Sequence, residues 1–172
     1  ELAKESATKN NISIDYRVGD ACALEFADNS FDNALFSFNG WSMIPTKEAR
    51  FEAAKEIYRI LKPGGYYIFT AHKRTFFGQE LIWITQFVRL YLLKPLGYKT
   101  LEKDFGDYYF KRDSETTYPI EQFVSFMNVN EVKKMHEELG YEIVLMKMRS
   151  EITNEDETLT SGNVMFFVCK KK

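Results

Sequence analysis

The chain has 172 residues, long enough for one domain with a real core, and its 45% hydrophobic and 28% charged residues lie in the ordinary range for a globular fold. A formal net charge of −2 gives a nucleic-acid partner no electrostatic support, and the two cysteines, Cys22 and Cys169, sit far apart and match no metal or redox spacing. No signal-peptide pattern is seen, and Gln86 and Arg89 interrupt the longest apolar run, so no membrane span is expected; two lone thiols fit a reducing, cytoplasmic compartment.

Residues 1–7 read as the tail of a helix rather than the start of a fold, which suggests that something precedes them; the other reading is a tag removed from a natural start. Residues 12–18 (ISIDYRV) alternate, with Ile12, Ile14, Tyr16 and Val18 on one face, and predict a half-buried, edge-like strand. Gly19, Asp20 and Ala21 follow at its end. In an open parallel sheet, ligands bind beyond the carboxyl ends of the strands. The Asp20 carboxylate can accept from an adenine amino group, and the amides of Ala21 or Cys22 can meet a ring nitrogen. On spacing alone, the simpler reading is that Asp20 caps a turn.

The chain is organised around residues 31–70. Residues 31–38 predict a strand, 47–61 a helix with Ala49, Ala53, Ile57, Ile60 and Leu61 on one face, and 66–71 a second strand. Thr46 is the expected N-cap, and Lys62-Pro63-Gly64-Gly65 the expected stop. Continuous apolar strands joined by a helix describe a βαβ unit in a parallel sheet covered on both faces. His72 ends the second strand, where a general base could act, or where it is simply a loop residue beside the pocket.

Residues 76–96 are the most apolar stretch and predict a helix, with Phe77, Leu81, Ile84, Phe87, Tyr91 and Leu92 forming a broad face. The expected reading is a lid helix buried on the body; the others are a surface for an apolar substrate, a partner helix or a membrane interface. Short strands are expected at 107–110 and 116–120 around a polar turn. A helix capped by Asn130 follows, with Val132, Met135 and Leu139 inward and His136 exposed. Residues 141–148 and 163–169, apolar on both faces, should lie inside the sheet. The link between them has no helical pattern, so they should pair antiparallel. Its acidic run, Glu151, Glu155, Asp156 and Glu157, lacks a glycine-centred loop and reads as a solvated linker; no metal site is expected.

These pieces together (Val18-Gly19-Asp20-Ala21, Leu24-Glu25-Phe26, Asp28-Asn29-Ser30-Phe31-Asp32 and Leu61-Lys62-Pro63-Gly64-Gly65) resemble the class I S-adenosylmethionine-dependent methyltransferases. The resemblance covers residues 12–70 well and the last third loosely. It implies an α/β, Rossmann-like sheet whose final strand is antiparallel beside the fifth. It implies S-adenosylmethionine as cofactor, with Asp20, Ala21 and Cys22 toward the adenine and Ser37, Phe38 and Asn39 toward the methionine and methyl group. It also implies a lid insertion of mixed helix and strand, residues 75–128, within a single partial domain, residues 1–172. In this reading Trp41, Tyr108 and Tyr109 contact the substrate, aromatic rings being suited to a planar acceptor.

The family carries a Gly-rich loop after its first strand and an acidic ribose-binding residue after its second, and this sequence has neither. The family's sheet would place two absent strands between 12–18 and 31–38, a gap of about 14 Å at the usual strand spacing. The first strand is therefore expected to be displaced, paired with another molecule, or supported by residues outside this chain. The activity implied is direct methyl transfer to a small molecule, without nucleic acid, with His72 as candidate base. The alternatives are a truncated methyltransferase-like chain that binds no cofactor and forms a homo-oligomer, and a nucleotide-binding oxidoreductase on a similar sheet, weakened by the missing dinucleotide loop.

Overall fold

The computed structural model describes residues 2–111, 121–153 and 163–172. The chain begins with α1 (Leu2–Lys9) and reaches its first strand, β1 (Phe31–Phe36), then α2 (Lys47–Ile60) and β2 (Leu61–His72). The insertion holds α3 (Glu80–Phe87), a π-helical turn (Val88–Leu93), a 3-10 turn (Lys94–Leu96), and the hairpin strands β3 (Asp107–Lys111) and β4 (Glu121–Ser125). The chain closes with α4 (Val129–Glu138), β5 (Tyr141–Met148) and β6 (Val164–Lys171). The main sheet has the order β1-β2-β6-β5, with β1 parallel to β2, and β6 antiparallel to both β2 and β5. The expected βαβ unit and the final antiparallel pair are both present.

Local chemistry explains the central unit. Thr46 Oγ1 accepts from the Ala49 amide at 3.2 Å, and Ala53, Ala54, Ile57 and Ile60 bury one face of α2. The strand does not wait for residue 66. The backbone becomes extended at Leu61, and residues 62–65 run on as strand with a register shift opposite Phe31 and Asn33. Gly65 is required there, because a Cβ would lie 2.6 Å from the Asp32 carbonyl oxygen on β1.

Both α2 and α4 pack on the same face of the sheet. There Tyr67, Phe69, Phe167 and Tyr141 are sealed, with Phe69 stacked on Phe167 at 4.8 Å and on His136 at 4.7 Å. The opposite face is open: Leu35 is 70% and Ile68 38% exposed, so the sheet is not covered on both faces as the apolar strands suggested.

Several expectations are corrected. Residues 12–18 form no strand; they run exposed, and among the described residues β1 has β2 as its single neighbour and no strand pairs with them. Strand β5, residues 141–148, is an edge strand and not an interior one. Asn128 caps α4, accepting from the Asn130 amide at 3.0 Å. His136 is fully buried, because it lies one turn beyond Val132 and joins that helix's inward stripe. The expected lid helix buries only Trp83, Gln86 and Leu90; most of its apolar face is exposed. The expected strand at 116–120 and the acids at 155–157 lie outside the described residues. No helix of the described residues is long and apolar enough to cross a membrane, and no cluster of His, Cys, Asp or Glu among them could hold a metal.

Candidate functional site

The turn at Gly19–Cys22 and the segment from Gly40 to Ala49, which follows β1, face one another across a cleft of about 540 Å³, lined by Asp20, Ala21, Cys22, Gly40, Met43 and Ile44, among others. Asp20 does cap a turn: its Oδ1 accepts from the Cys22 amide at 2.9 Å, and its carbonyl accepts from the Ala23 amide at 3.1 Å. The carboxylate nonetheless remains exposed on the cleft wall. The Cys22 amide is thereby used, and the Ala21 amide is left without an acceptor among the described residues. The turn thus offers an acceptor and a donor one residue apart. Cys22 Sγ donates to the Ala49 carbonyl at 3.3 Å, and burial, reinforced by the Asp20 charge, pushes the thiol up and keeps it protonated.

Across the cleft, β1 ends in a turn that doubles back. Phe38 and Asn39 both have left-handed backbones, with φ of 53° and 55°. For a bulky residue such as Phe38 that conformation is a real departure, of the kind that clusters at ligand sites. Phe38 is 94% exposed, while Asn39 is tied inward, its Oδ1 accepting from Thr70 Oγ1 on β2 at 2.5 Å. Gly40 then passes over the Phe36 ring so closely that a Cβ would meet it at 2.7 Å. Ser37, Phe38 and Asn39 therefore lead directly into the cleft's Gly40 wall.

What holds the Gly19–Cys22 turn in place escaped the sequence reading. Glu56 and Arg59, one turn apart on α2, look like an ordinary exposed pair. In the structure Arg59 donates to the carbonyls of Leu24 and Phe26 at 2.9 and 2.7 Å, and to Asp28 at 2.7 Å. It also bonds Glu56, whose Oε2 accepts from the Leu24 amide at 2.9 Å. The Arg59 guanidinium holds the Glu56 carboxyl below its usual range. An irregular segment is thus pinned to a helix by its backbone, which no side-chain pattern in residues 22–28 announces.

The proposed acceptor contacts are not brought together. Trp41 is 1% exposed and belongs to the core, its indole donating to the Arg50 carbonyl at 3.3 Å. It lines a second cavity of about 320 Å³ with Arg50, Arg74, Phe105 and Asn128. Tyr108 and Tyr109 line a third, of about 330 Å³, with Gln86, Lys99 and Glu102. His72 lines none of these three. Its amide donates to Ser42 Oγ at 3.2 Å, its ring lies 5.5 Å from Phe126, and Nδ1 is buried without a partner among the described residues. Burial lowers its pKa below 6.5, opposed by a hydrogen bond with Asn163, so the ring is neutral at pH 7.

Comparison with known proteins agrees with this geometry. A family model described as a methyltransferase domain matches residues 1–69. Demethylmenaquinone methyltransferases of Staphylococcus aureus are 30% identical over 142 residues, 82% of this chain and 52% of the relative. The chain therefore spans about half the length of the curated relatives it matches. A methyltransferase structure from Methanosarcina mazei superposes with a TM-score of 0.71 at 18% identity, covering 99% of this chain and 76% of that one. A Burkholderia thailandensis 1,6-didemethyltoxoflavin-N1-methyltransferase, solved with S-adenosylhomocysteine bound, gives 0.58 at 9% identity, covering 99% of this chain and 56% of that one. With the parallel β1–β2 unit and the inserted antiparallel β6, the chain has the fold of the class I S-adenosylmethionine-dependent methyltransferases, and its residues 1–69 match the methyltransferase domain family.

Proposed function

We propose that the protein transfers a methyl group from S-adenosylmethionine to a small-molecule acceptor. The observation that carries this is the exposed Asp20 carboxylate beside the unused Ala21 amide on the wall of a cleft at the end of β1. This pair fits the amino group and adjacent ring nitrogen of adenine. Ser37, Phe38 and Asn39 do not line the cleft themselves but immediately precede its Gly40 wall, and are suited to the path toward the methyl group. When bound, the cofactor would supply an electrophilic methyl on a sulfonium sulfur. Transfer is then a direct displacement, for which in-line placement of the acceptor is the main requirement. An acceptor that must lose a proton needs a base, and His72, neutral at pH 7, is the candidate. Trp41, Tyr108 and Tyr109 remain candidates for acceptor contact only if the lid moves, since they now line separate cavities. The acceptor named in the curated relatives, demethylmenaquinone, is the first to try. A cytoplasmic location suits the two unpaired thiols.

Isothermal calorimetry with S-adenosylhomocysteine, at high protein concentration, tests this. Saturable binding is expected, weakened about tenfold or more in Asp20→Ala, the usual effect of removing a hydrogen bond to a charged group. A chain that stays folded and shows no saturable heat overturns the proposal. One observation favours a second reading, a methyltransferase-like chain that self-associates without cofactor: β1 has a free edge and the sheet an open apolar face. Light scattering of the cofactor-free chain separates the two.

A further inference from the structure

The segment from Phe76 to Tyr98 is apolar nearly all round, a pattern that ordinarily belongs to a buried helix. Here only the stripe Trp83, Gln86 and Leu90 is buried, with Phe87 and Tyr91 edged against Phe105. That stripe is firmly docked. Gln86 receives the Gly106 amide at 2.9 Å and donates to the Asp107 carbonyl at 2.7 Å, and the Trp83 indole donates to the Thr75 carbonyl at 2.6 Å. Arg89 Nε donates to Glu102 at 3.2 Å. The two polar residues that interrupt the apolar run are therefore those that fasten it, and they fix which side faces outward. On that side Phe77 is 97%, Leu96 83%, Leu81 78%, Ile84 58% and Leu92 55% exposed. Such a contiguous apolar surface marks an interaction site.

Charge decides what kind of partner suits it. The Phe76–Tyr98 segment has a single acid, Glu80 at its amino end, and residues 81–101 contain none but carry Arg89, Lys94 and Lys99, in a chain whose net charge is −2. Lys94, Lys99 and Lys103 are exposed at the carboxyl end of the segment, and the nearby Glu102 is engaged by Arg89. Tyr91 and Tyr98, half exposed, sit between the apolar and basic parts, where amphipathic rings belong at a membrane–water boundary. A second copy pairing through this same face would set its lysines against one another across a two-fold interface, whereas an anionic bilayer offers both an apolar interior and negative headgroups.

We propose that the Phe76–Tyr98 face docks peripherally on an anionic lipid surface, with Leu81, Ile84, Leu92 and Leu96 in the acyl boundary and Lys94, Lys99 and Lys103 among the headgroups. The proposal is independent of cofactor binding. The test is co-sedimentation of the full chain with phosphatidylcholine vesicles, with and without one quarter phosphatidylglycerol, at two salt concentrations. Binding to the anionic vesicles is expected, falling with salt, and weakening about fivefold for each of Lys94→Glu and Lys99→Glu or more, as basic residues near such a surface do. Leu81→Ser with Leu96→Ser should abolish it while circular dichroism stays unchanged, because both side chains are already exposed. Failure to sediment with anionic vesicles overturns the proposal. So does equal binding to neutral vesicles, or a concentration-dependent dimer that the serine variants dissolve in the absence of lipid.

Discussion

The two faces of the main sheet are built from alternate residues of the same strands, yet they live in different environments. On β2, Tyr67 and Phe69 have 0% exposure while their neighbours Tyr66 and Ile68 are each 38% exposed. On β1, Leu35 is 70% exposed though it pairs directly with Ile68. Side-chain hydrophobicity is nearly the same on both sides. The difference lies in what the chain lays over each: α2 and α4 with their aromatic contacts on one; on the other, a turn at Asn39 that reaches Thr70 and Phe126 that reaches His72, both leaving Leu35 and Ile68 exposed. Apolar residues in a strand therefore measure the demand for a covering layer, not its presence.

The largest effect is expected on the covered face. Phe69→Ala removes a ring stacked between Phe167 and His136 and leaves a cavity that the surrounding aromatics cannot fill. Urea denaturation should show a loss of about 4 kcal/mol. A loss under about 1 kcal/mol would mean that this face is not the core.

A second effect sharpens the comparison through pH. His136 is buried against Trp41, Phe69 and Tyr141, its Nδ1 held by the Val132 carbonyl at 2.8 Å and its Nε2 without a partner among the described residues. Burial lowers its pKa to about 4 from 6.5. The unfolded chain binds a proton that the folded chain refuses, so stability is full above pH 6.5 and is lost as the pH falls toward 4. Between pH 7 and 5 the loss should be about 2 kcal/mol. His136→Phe, which keeps an aromatic ring in the stack, should remove most of that dependence. An unchanged pH profile in the variant would show that His136 is not the group responsible.

The contrast also explains what the sequence could show. The central βαβ unit was legible because its signals are local: Thr46 caps, the helix keeps its period, and residues 61–65 can serve only as an exit. The Asp20 turn was legible for the same reason, as a short run whose backbone closes on itself. Other features depend on what lies opposite. Residues 12–18 alternate like a strand but pair with no strand among the described residues, and alternation says nothing about a partner. His136 sits among Lys133, Lys134, Glu137 and Glu138, and its charged neighbours masked its position one turn from Val132. The lid's apolar stripe reads as core at helical spacing, although Gln86 and Arg89 carried the signal that only their side is docked. Arg59 was illegible because it holds main-chain oxygens, which every residue has.

The smallest expected effect tests the open face itself. Ile68→Thr keeps the branched shape favoured in a strand and exchanges an ethyl group for a hydroxyl at a position already 38% exposed. If solvent bathes this face, stability should change by no more than about 0.5 kcal/mol, the usual range for a surface substitution. The informative departure is a loss above about 1 kcal/mol that grows with protein concentration. Such a loss would require another molecule to cover Leu35 and Ile68, and the contrast between the faces would then hold for the isolated chain alone. A loss of that size independent of concentration would instead place the cover within the chain, over a face that the described residues leave open.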